Sequence, residues 1–322
     1  MVPHGIMFHH FHGGRHRPGQ GSISSRQFED LIRFVGPQRL LSADEWLVRA
    51  AADRLDAQDV CLTFDDNLRC QHDVALPVLR DYNLTAFWFV ATSVFCGRLE
   101  RLELYRAFRT RYFESMDDFY AEFFRFLATS PAAEDVEEAL IDFAPERYLA
   151  EFPFYTEADR RFRFVRDEVL GPRRYPQVMD ALVASRGVSL ESLAADLWMT
   201  PEQLRRLDAD GHRIGLHSHT HPTRLAELPI ERQRQEYRDN FTMLSSIVGR
   251  APAAVSHPCN SYNAATLDVL RELGIRVGFR ANMRQGPFGA LELPREDHAN
   301  LLAEMQACAS RRSPATSLAT LR

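Results

Sequence analysis

The sequence contains no lysine: all 39 of its basic residues are arginine. That absence excludes a Schiff-base lysine, a pyridoxal phosphate anchor and the lysine of a phosphate-binding P-loop. No apolar stretch approaches the roughly 18–20 residues needed to span a bilayer, so no transmembrane segment is expected. The opening residues, MVPHGIMFHHFHGG, lack the basic and long apolar regions of a secretory leader. The five cysteines (61, 70, 96, 259 and 308) are odd in number and lack metal-site spacing, which fits reduced thiols and a cytoplasmic location. Strong charge is missing as well. The formal net charge of -5 gives no reason to expect nucleic acid or an anionic membrane as partner. Neither the H-x-E and C-x-x-C pattern of nucleobase deaminases nor the H-E-x-x-H of zinc proteases is found.

What is present is an ordinary globular composition, 45% hydrophobic and 26% charged over 322 residues, enough for one large domain with an insertion. Short apolar runs at Gly5–Phe11, Val60–Asp65, Ala86–Ala91, Arg213–His217, Ala253–Ser256, Ile275–Phe279 and Leu291–Leu293 read as strands. Helix-length amphipathic stretches separate them, at Ser25–Val35, Ala43–Arg54, Val74–Tyr82, Pro201–Asp208, Ile230–Val248 and Ala264–Leu273. Alternation of this kind predicts an α/β fold with a mostly parallel sheet, open or closed into a barrel, with its chemistry at the C-terminal strand ends. Between residues 97 and 200 the alternation stops and a helical pattern takes over, for example Met116, Tyr120, Phe123 and Leu127. Turns are expected there at Pro131, Pro153, Gly171-Pro172 and Pro176. The expected organisation is a core of residues 1–96 and 201–310, a helical insertion or cap over 97–200, and a loose tail over 311–322.

Two constellations carry chemistry. Thr63-Phe64-Asp65-Asp66 ends the strand that begins at Val60. Adjacent carboxylates at a strand terminus are costly to bury unpaired, and a nearby cation relieves this: one carboxylate binds it and the other stays free as a base. Taken alone, the pair reads more simply as a helix cap or turn pair. The second constellation, His217-Ser218-His219-Thr220-His221-Pro222, follows another strand and holds three imidazoles in five residues. On an extended chain 217, 219 and 221 share a face, whereas a helical turn brings 217 and 221 together. An aspartate with two histidines makes a three-ligand metal site, suited to Zn²⁺ and also to Co²⁺, Ni²⁺, Fe²⁺ or Mn²⁺. Such an ion acidifies water and polarises a carbonyl, the two tasks that amide hydrolysis requires.

TFDD followed by H-S-x-x-H-P resembles the polysaccharide deacetylase superfamily (NodB homology, carbohydrate esterase family four), and DVALPVLRDYNLTAFWFV extends the similarity. The resemblance covers the chain outside about 97–200. It implies a distorted (β/α) barrel with a divalent metal ion held by Asp66, His217 and His221, with Asp65 as general base and His219 not a ligand. The family's third motif, R-x-P-x-G, corresponds here to Ser256-His257-Pro258-Cys259-Asn260, without the arginine. By resemblance the backbone N–H of Cys259 helps hold the oxyanion, a role that tolerates a changed side chain. Pro294-Arg295-Glu296-Asp297-His298 offers substitutes: Arg295 for the missing guanidinium beside Asp65, and His298 for the family's general acid near the last barrel strand. The alternative reading of that segment is a surface cluster opening a helix, with Asp297 or Asn300 as its cap.

The N-terminal histidines 4, 9, 10, 12 and 16 are assigned no role, although an extended Gly5–Phe11 would carry His10 or His12 to the barrel mouth. Arg160, Arg161, Arg163, Arg166, Arg173 and Arg174 suit an anionic substrate but read more simply as a solvated helix face. The expected activity is N-deacetylation of an amino sugar in an intracellular precursor of a surface glycan, with nucleotide- and lipid-linked sugars among the expected substrates. A non-sugar or cyclic amide, or a non-catalytic carbohydrate-binding relative, are the alternatives. Retention of Asp65 argues against the last.

Overall fold

The computed structural model describes residues 2–150 and 155–312. The turn expected at Pro153, and residues 313–322 of the expected tail, lie outside the described residues. The chain divides into two compact units, Met1–Arg98 with Trp198–Arg322, and Leu99–Leu197.

Among the described residues the first unit has nine strands: β1 (His4–Phe8), β2 (Phe11–His12), β3 (Ile23–Ser24), β4 (Val60–Phe64), β5 (Phe87–Val90), β6 (Arg213–Leu216), β7 (Ala254–Ser256), β8 (Val277–Phe279) and β9 (Arg295–Asp297). Seven of these form one sheet in the order β8-β7-β6-β5-β4-β1-β9, and β2 pairs separately with β3. Every pairing in the large sheet is parallel. β4, β5, β7 and β8 are buried along their whole length, as continuous apolar runs in a parallel sheet must be.

The sheet curls into a nearly closed barrel. Phe279 of β8 forms a parallel bridge with Leu293, just ahead of β9. The Arg280 N–H donates to Leu293 O at 3.0 Å and the His257 ring nitrogen Nε2 donates to Leu291 O at 2.8 Å. Glycine is required at 278, because a Cβ there would collide with the carbonyl of Leu291.

The helices follow from capping and apolar periodicity. In this unit α1 (Ser25–Val35), α2 (Ala43–Ala51) and α3 (Leu76–Asp81) precede the second unit. That unit contains α4 (Arg101–Tyr112), α5 (Met116–Leu127), α6 (Ala133–Ile141), α7 (Glu157–Phe164), α8 (Gly171–Ser185) and α9 (Leu190–Ala194). The first unit resumes with α10 (Pro201–Ala209), α11 (Ile230–Val248), α12 (Ala264–Glu272) and α13 (His298–Arg312). Ser24, Ser115, Thr156, Thr200 and Asn263 each close a capping box that fixes a helix start.

Three expectations need correction. β1 ends at Phe8 rather than Phe11, so His9 directly follows the strand. The last strand is Arg295–Asp297, not Leu291–Leu293, because pairing with β1 overrides the poor strand composition of Arg-Glu-Asp. Gly171-Pro172 and Pro176 do not mark turns. They lie within α8, with Pro172 near its start, where a missing N–H costs little.

One buried histidine makes folding pH-dependent. His212 is 2% exposed and its Nδ1 accepts the Ala86 N–H at 3.0 Å at the entrance to β5. Burial pushes its pKa from 6.5 down to about 4. The folded state therefore favours the neutral ring. Its stabilisation is complete above pH 6.5 and is lost as the pH falls from there towards 4. Asn at 212 keeps an acceptor without titrating. We expect His212→Asn to flatten the decline of unfolding free energy over that window by up to about 1.4 kcal/mol per pH unit. Denaturant titrations at several pH values measure this, and equal slopes in the two proteins would refute it.

Candidate active site

Asp65 and Asp66 leave the C-terminal end of β4, and His217 leaves the end of β6 two strands away in the sheet. The intervening β5 holds them apart at a distance that side chains can bridge. Asp66 Oδ1 lies 3.3 Å from His217 Nε2 and 3.4 Å from His221 Nε2. The three ligand atoms of Asp66, His217 and His221 lie within 4.8 Å of one another, the only such group among the described residues.

The donor chemistry fits a divalent cation. His217 Nδ1 is 2.9 Å from Ser256 O. A carbonyl only accepts, so Nδ1 carries the proton, and Nε2 donates to Asp66 when the ring is charged or offers its lone pair to a cation when the ring is neutral. One carboxylate oxygen and two imidazole nitrogens suit Zn²⁺ and its late first-row neighbours. Burial alone would raise the Asp66 carboxyl, but the His217 hydrogen bond and the His221 and His9 rings outweigh it and hold the group ionised. Burial likewise opposes charging of His217, yet Asp65 and Asp66 draw its pKa upward, a sign of negative charge concentrated here.

Asp65 is held by a different device. Arg295 enters the barrel from β9 and forms a fork on the carboxylate, with Nη1 to Oδ1 and Nη2 to Oδ2 both at 2.8 Å. Its other donors reach Arg280 O at 3.0 Å, Thr63 Oγ at 3.2 Å and Ser256 Oγ at 2.7 Å. All five guanidinium N–H groups thus find acceptors, which makes this buried charge tolerable at 1% exposure. Ser256 in turn donates to Asp65 Oδ2 at 3.1 Å. Burial works against the ionised Asp65, but Arg295 and His217 prevail and its pKa lies below the usual range.

The other expected residues separate into two groups. Cys259 follows Pro258 beyond β7 and adopts φ 50 and ψ 26, with its side chain exposed. His298 is not brought to the carboxylates. Its ring is buried against Phe8, with Nδ1 3.2 Å from Met7 O and Nε2 3.2 Å from Gly21 O. Both nitrogens face backbone carbonyls and neither is open to substrate. His9 stands where His298 was expected: its Nε2 lies 3.8 Å from Asp65 Oδ2 and 3.9 Å from Asp66 Oδ2, and the side chain is 27% exposed. Gln71 fixes the neighbouring backbone by donating to His9 O at 2.8 Å and Asp65 O at 2.6 Å.

Backbone strain gathers at the same loops. Six of the nine described non-glycine residues with positive φ are Asp66, Asn67, Ser218, His221, Cys259 and Asn260. Such conformations cost on the order of 1–3 kcal/mol each and persist where the surroundings over-determine them.

The buried face of α11 supplies part of that over-determination. Glu236 accepts the N–H groups of His219 at 3.0 Å and Thr220 at 2.7 Å, and the Thr220 hydroxyl at 2.7 Å. One turn on, Asn240 Oδ1 accepts the His217 N–H at 3.0 Å, and its Nδ2 donates to Val90 O and Thr92 Oγ. This helix face was not singled out from sequence, because glutamate and asparagine on a long helix ordinarily mark its solvent side. We expect Glu236→Ala to weaken Zn²⁺ affinity by about 10–100-fold while leaving all three ligand side chains in place. Competition against a chromophoric chelator measures this, and an unchanged affinity would remove the scaffold role.

Comparisons with known proteins bear on this arrangement. A family model described as polysaccharide deacetylase matches residues 173–278. A chitin deacetylase from Pestalotiopsis sp is 30% identical over 112 residues, which is 33% of this chain and 37% of that protein. The chain thus matches little more than a third of that relative's length. Among solved structures, the Streptococcus pyogenes deacetylase PplD in complex with acetate superposes with a TM-score of 0.53 at 17% identity, covering 94% of this chain and 97% of that one. IcaB from Ammonifex degensii gives 0.52 at 14% identity, covering 91% and 90%. A de-N-acetylase from Aggregatibacter actinomycetemcomitans gives 0.53 at 13% identity, covering 94% and 98%. These superpositions show a shared fold.

Proposed function

We propose that this chain, whose resemblance to the polysaccharide deacetylases rests on its fold and on the matched segment 173–278, is a metal-dependent N-deacetylase acting on an N-acetylated amino sugar. The observation that carries the reading is one cluster: Asp66, His217 and His221 converge beside an ionised Asp65 that is fully hydrogen-bonded on its far side.

Asp66, His217 and His221 would hold the cation, which when bound supplies Lewis acidity towards water and the acetyl carbonyl. Asp65 takes a proton from the attacking water as its oxygen bonds to the acetyl carbon. Arg295 and Ser256 keep the Asp65 oxygens aimed and charged. The backbone N–H of Cys259 is assigned to the developing oxyanion. His9 delivers the proton that the nitrogen needs as the C–N bond breaks, leaving acetate and a free amine. The acid role expected of His298 thus passes to His9, because of these two rings it is His9 whose nitrogen lies near the carboxylates. His298 is assigned to structure, tying β1 and the loop at Gly21 to the start of α13.

Acetate release tests the reading. The panel comprises N-acetylglucosamine oligomers, an N-acetylated nucleotide sugar and a cyclic amide, each with and without chelator. Chelator-sensitive release from a sugar substrate is expected. Turnover of the cyclic amide alone would move the chain to the wider amidohydrolases, and no turnover at all would favour a binding protein. Within the same assay we expect His9→Ala to lose about 10²–10⁴-fold in kcat with its metal retained. His298→Ala should mainly lose stability. The reverse pattern would return the acid role to His298.

No helix among the described residues is long and apolar enough to cross a membrane.

A further inference from the structure

One peptide unit just beyond β8 is fastened from both sides, by the turn after β7 and by the start of β9. The Arg280 carbonyl accepts the Arg295 Nε–H at 3.0 Å. The N–H of the same peptide, on Ala281, donates to Asn260 Oδ1 at 2.9 Å. A peptide group is planar, so fixing its N–H also fixes the direction of its C=O. Asn260 thus aims the carbonyl that Arg295 Nε uses. The next residue adds a second tie, since Asn282 O accepts the Arg295 backbone N–H at 3.3 Å.

Asn260 brings more to this position than the turn requires. It has φ 57, in the left-handed region where glycine carries no penalty and asparagine only a modest one. Its backbone N–H closes the turn on His257 O at 3.1 Å, a bond that glycine would make equally well. What asparagine adds over glycine is a carboxamide, and its oxygen is committed to Ala281. At the other end, the Arg295 Nη atoms carry the fork on both Asp65 oxygens at 2.8 Å. The guanidinium is rigid and planar, so its Nε bond sets the plane in which that fork lies.

We infer that Asn260 is a positioning residue: through the Arg280–Ala281 peptide it orients Arg295, and through Arg295 it holds the Asp65 carboxylate in place. The inference rests on the deacetylase reading for what Asp65 does, and on hydrogen-bond geometry alone for the clamp.

Amide exchange tests the clamp on the full chain without any substrate. Asn260→Gly keeps the left-handed turn and removes the oxygen. In that variant the Ala281 N–H should exchange about 5–10-fold faster than in the wild type. Asn260→Asp keeps an acceptor and should stay within about threefold of the wild type. Equal exchange in the wild type and Asn260→Gly would overturn the proposal.

Acetate release by the zinc-loaded chain tests the consequence. Asn260→Gly should lose about 5–20-fold in kcat with KM and metal content unchanged, and Asn260→Asp should recover most of that loss. A loosened turn alone would lower kcat whatever residue stands at 295. In an Arg295→Lys background, which has no Nε donor, removing the Asn260 oxygen should instead cost less than about twofold. The full loss in that background would overturn the proposal, as would wild-type kcat in Asn260→Gly. A wild type that releases no acetate would sink the deacetylase reading and this role with it. An active wild type beside an equally active Asn260→Gly would sink the role of Asn260 alone.

Discussion

Arg295→Met is expected to lose at least about 10² in kcat/KM, together with about 3–5 kcal/mol of folding stability. The argument starts from Asp65, 2% exposed, whose ionisation is opposed by burial and sustained first by Arg295. Without the guanidinium, burial has no adequate counterweight. The carboxyl pKa then rises, and the group carries a proton at neutral pH instead of accepting one. Methionine fills much of the space but leaves Thr63, Ser256 and the Arg280 carbonyl short of a donor. Lysine is a poor rescue, since one ammonium cannot reproduce a fork on two oxygens at 2.8 Å each. Steady-state kinetics and thermal melts on variants with intact circular dichroism measure both effects. Wild-type turnover in Arg295→Met would show that Asp65 needs no cation and would detach β9 from the chemistry.

Chelation is expected to remove essentially all activity, and stoichiometric Zn²⁺ or Co²⁺ to restore it in the wild type but not in Asp66→Ala or His217→Ala. Asp66 is the shared partner of both imidazoles, at 3.3 and 3.4 Å, so its loss leaves two histidines from one loop and no anionic ligand. His217 is the better anchored histidine, with both its backbone N–H and its Nδ1 committed to the fold. Its removal should therefore cost more affinity than the removal of His221. Losses beyond about 10³-fold are in line with removing a Lewis acid worth several kcal/mol in the transition state. Residual activity that no chelator touches would mean the hydrolysis runs without the ion.

These expectations differ in how far the sequence alone supported them. Asp65, Asp66, His217 and His221 were legible because each pair sits in a contiguous run at the end of an apolar strand, where local pattern and chemistry coincide. The parallel sheet was legible for the same reason: β4 and β5 are short apolar runs between amphipathic helices. Arg295 was legible as a candidate, but its strand was displaced towards Leu291–Leu293. Arg-Glu-Asp carries no apolar alternation, and only pairing with Gly5–Met7 makes it a strand.

His9 was hidden by a single boundary. Reading β1 through Phe11 places the alternation so that His10 or His12 reaches the barrel mouth, whereas the strand ends at Phe8 and the chain turns with His9 inward. His298 was drawn into the site by its place after the last strand, and only the backbone carbonyls of Met7 and Gly21, distant in sequence, show its ring to be sealed. The polar scaffold on α11 was illegible in principle. Glu236 and Asn240 differ from solvent-facing residues only in what the loop between β6 and α11 lays across them.

The central claim is that three side chains from two strand ends hold one cation. Elemental analysis of metal content after dialysis against Zn²⁺ tests it most directly, on the wild type beside Asp66→Ala, His217→Ala and His221→Ala. The account predicts one ion per wild-type chain and a small fraction of one in the first two variants. Equal metal content in all four proteins would contradict it.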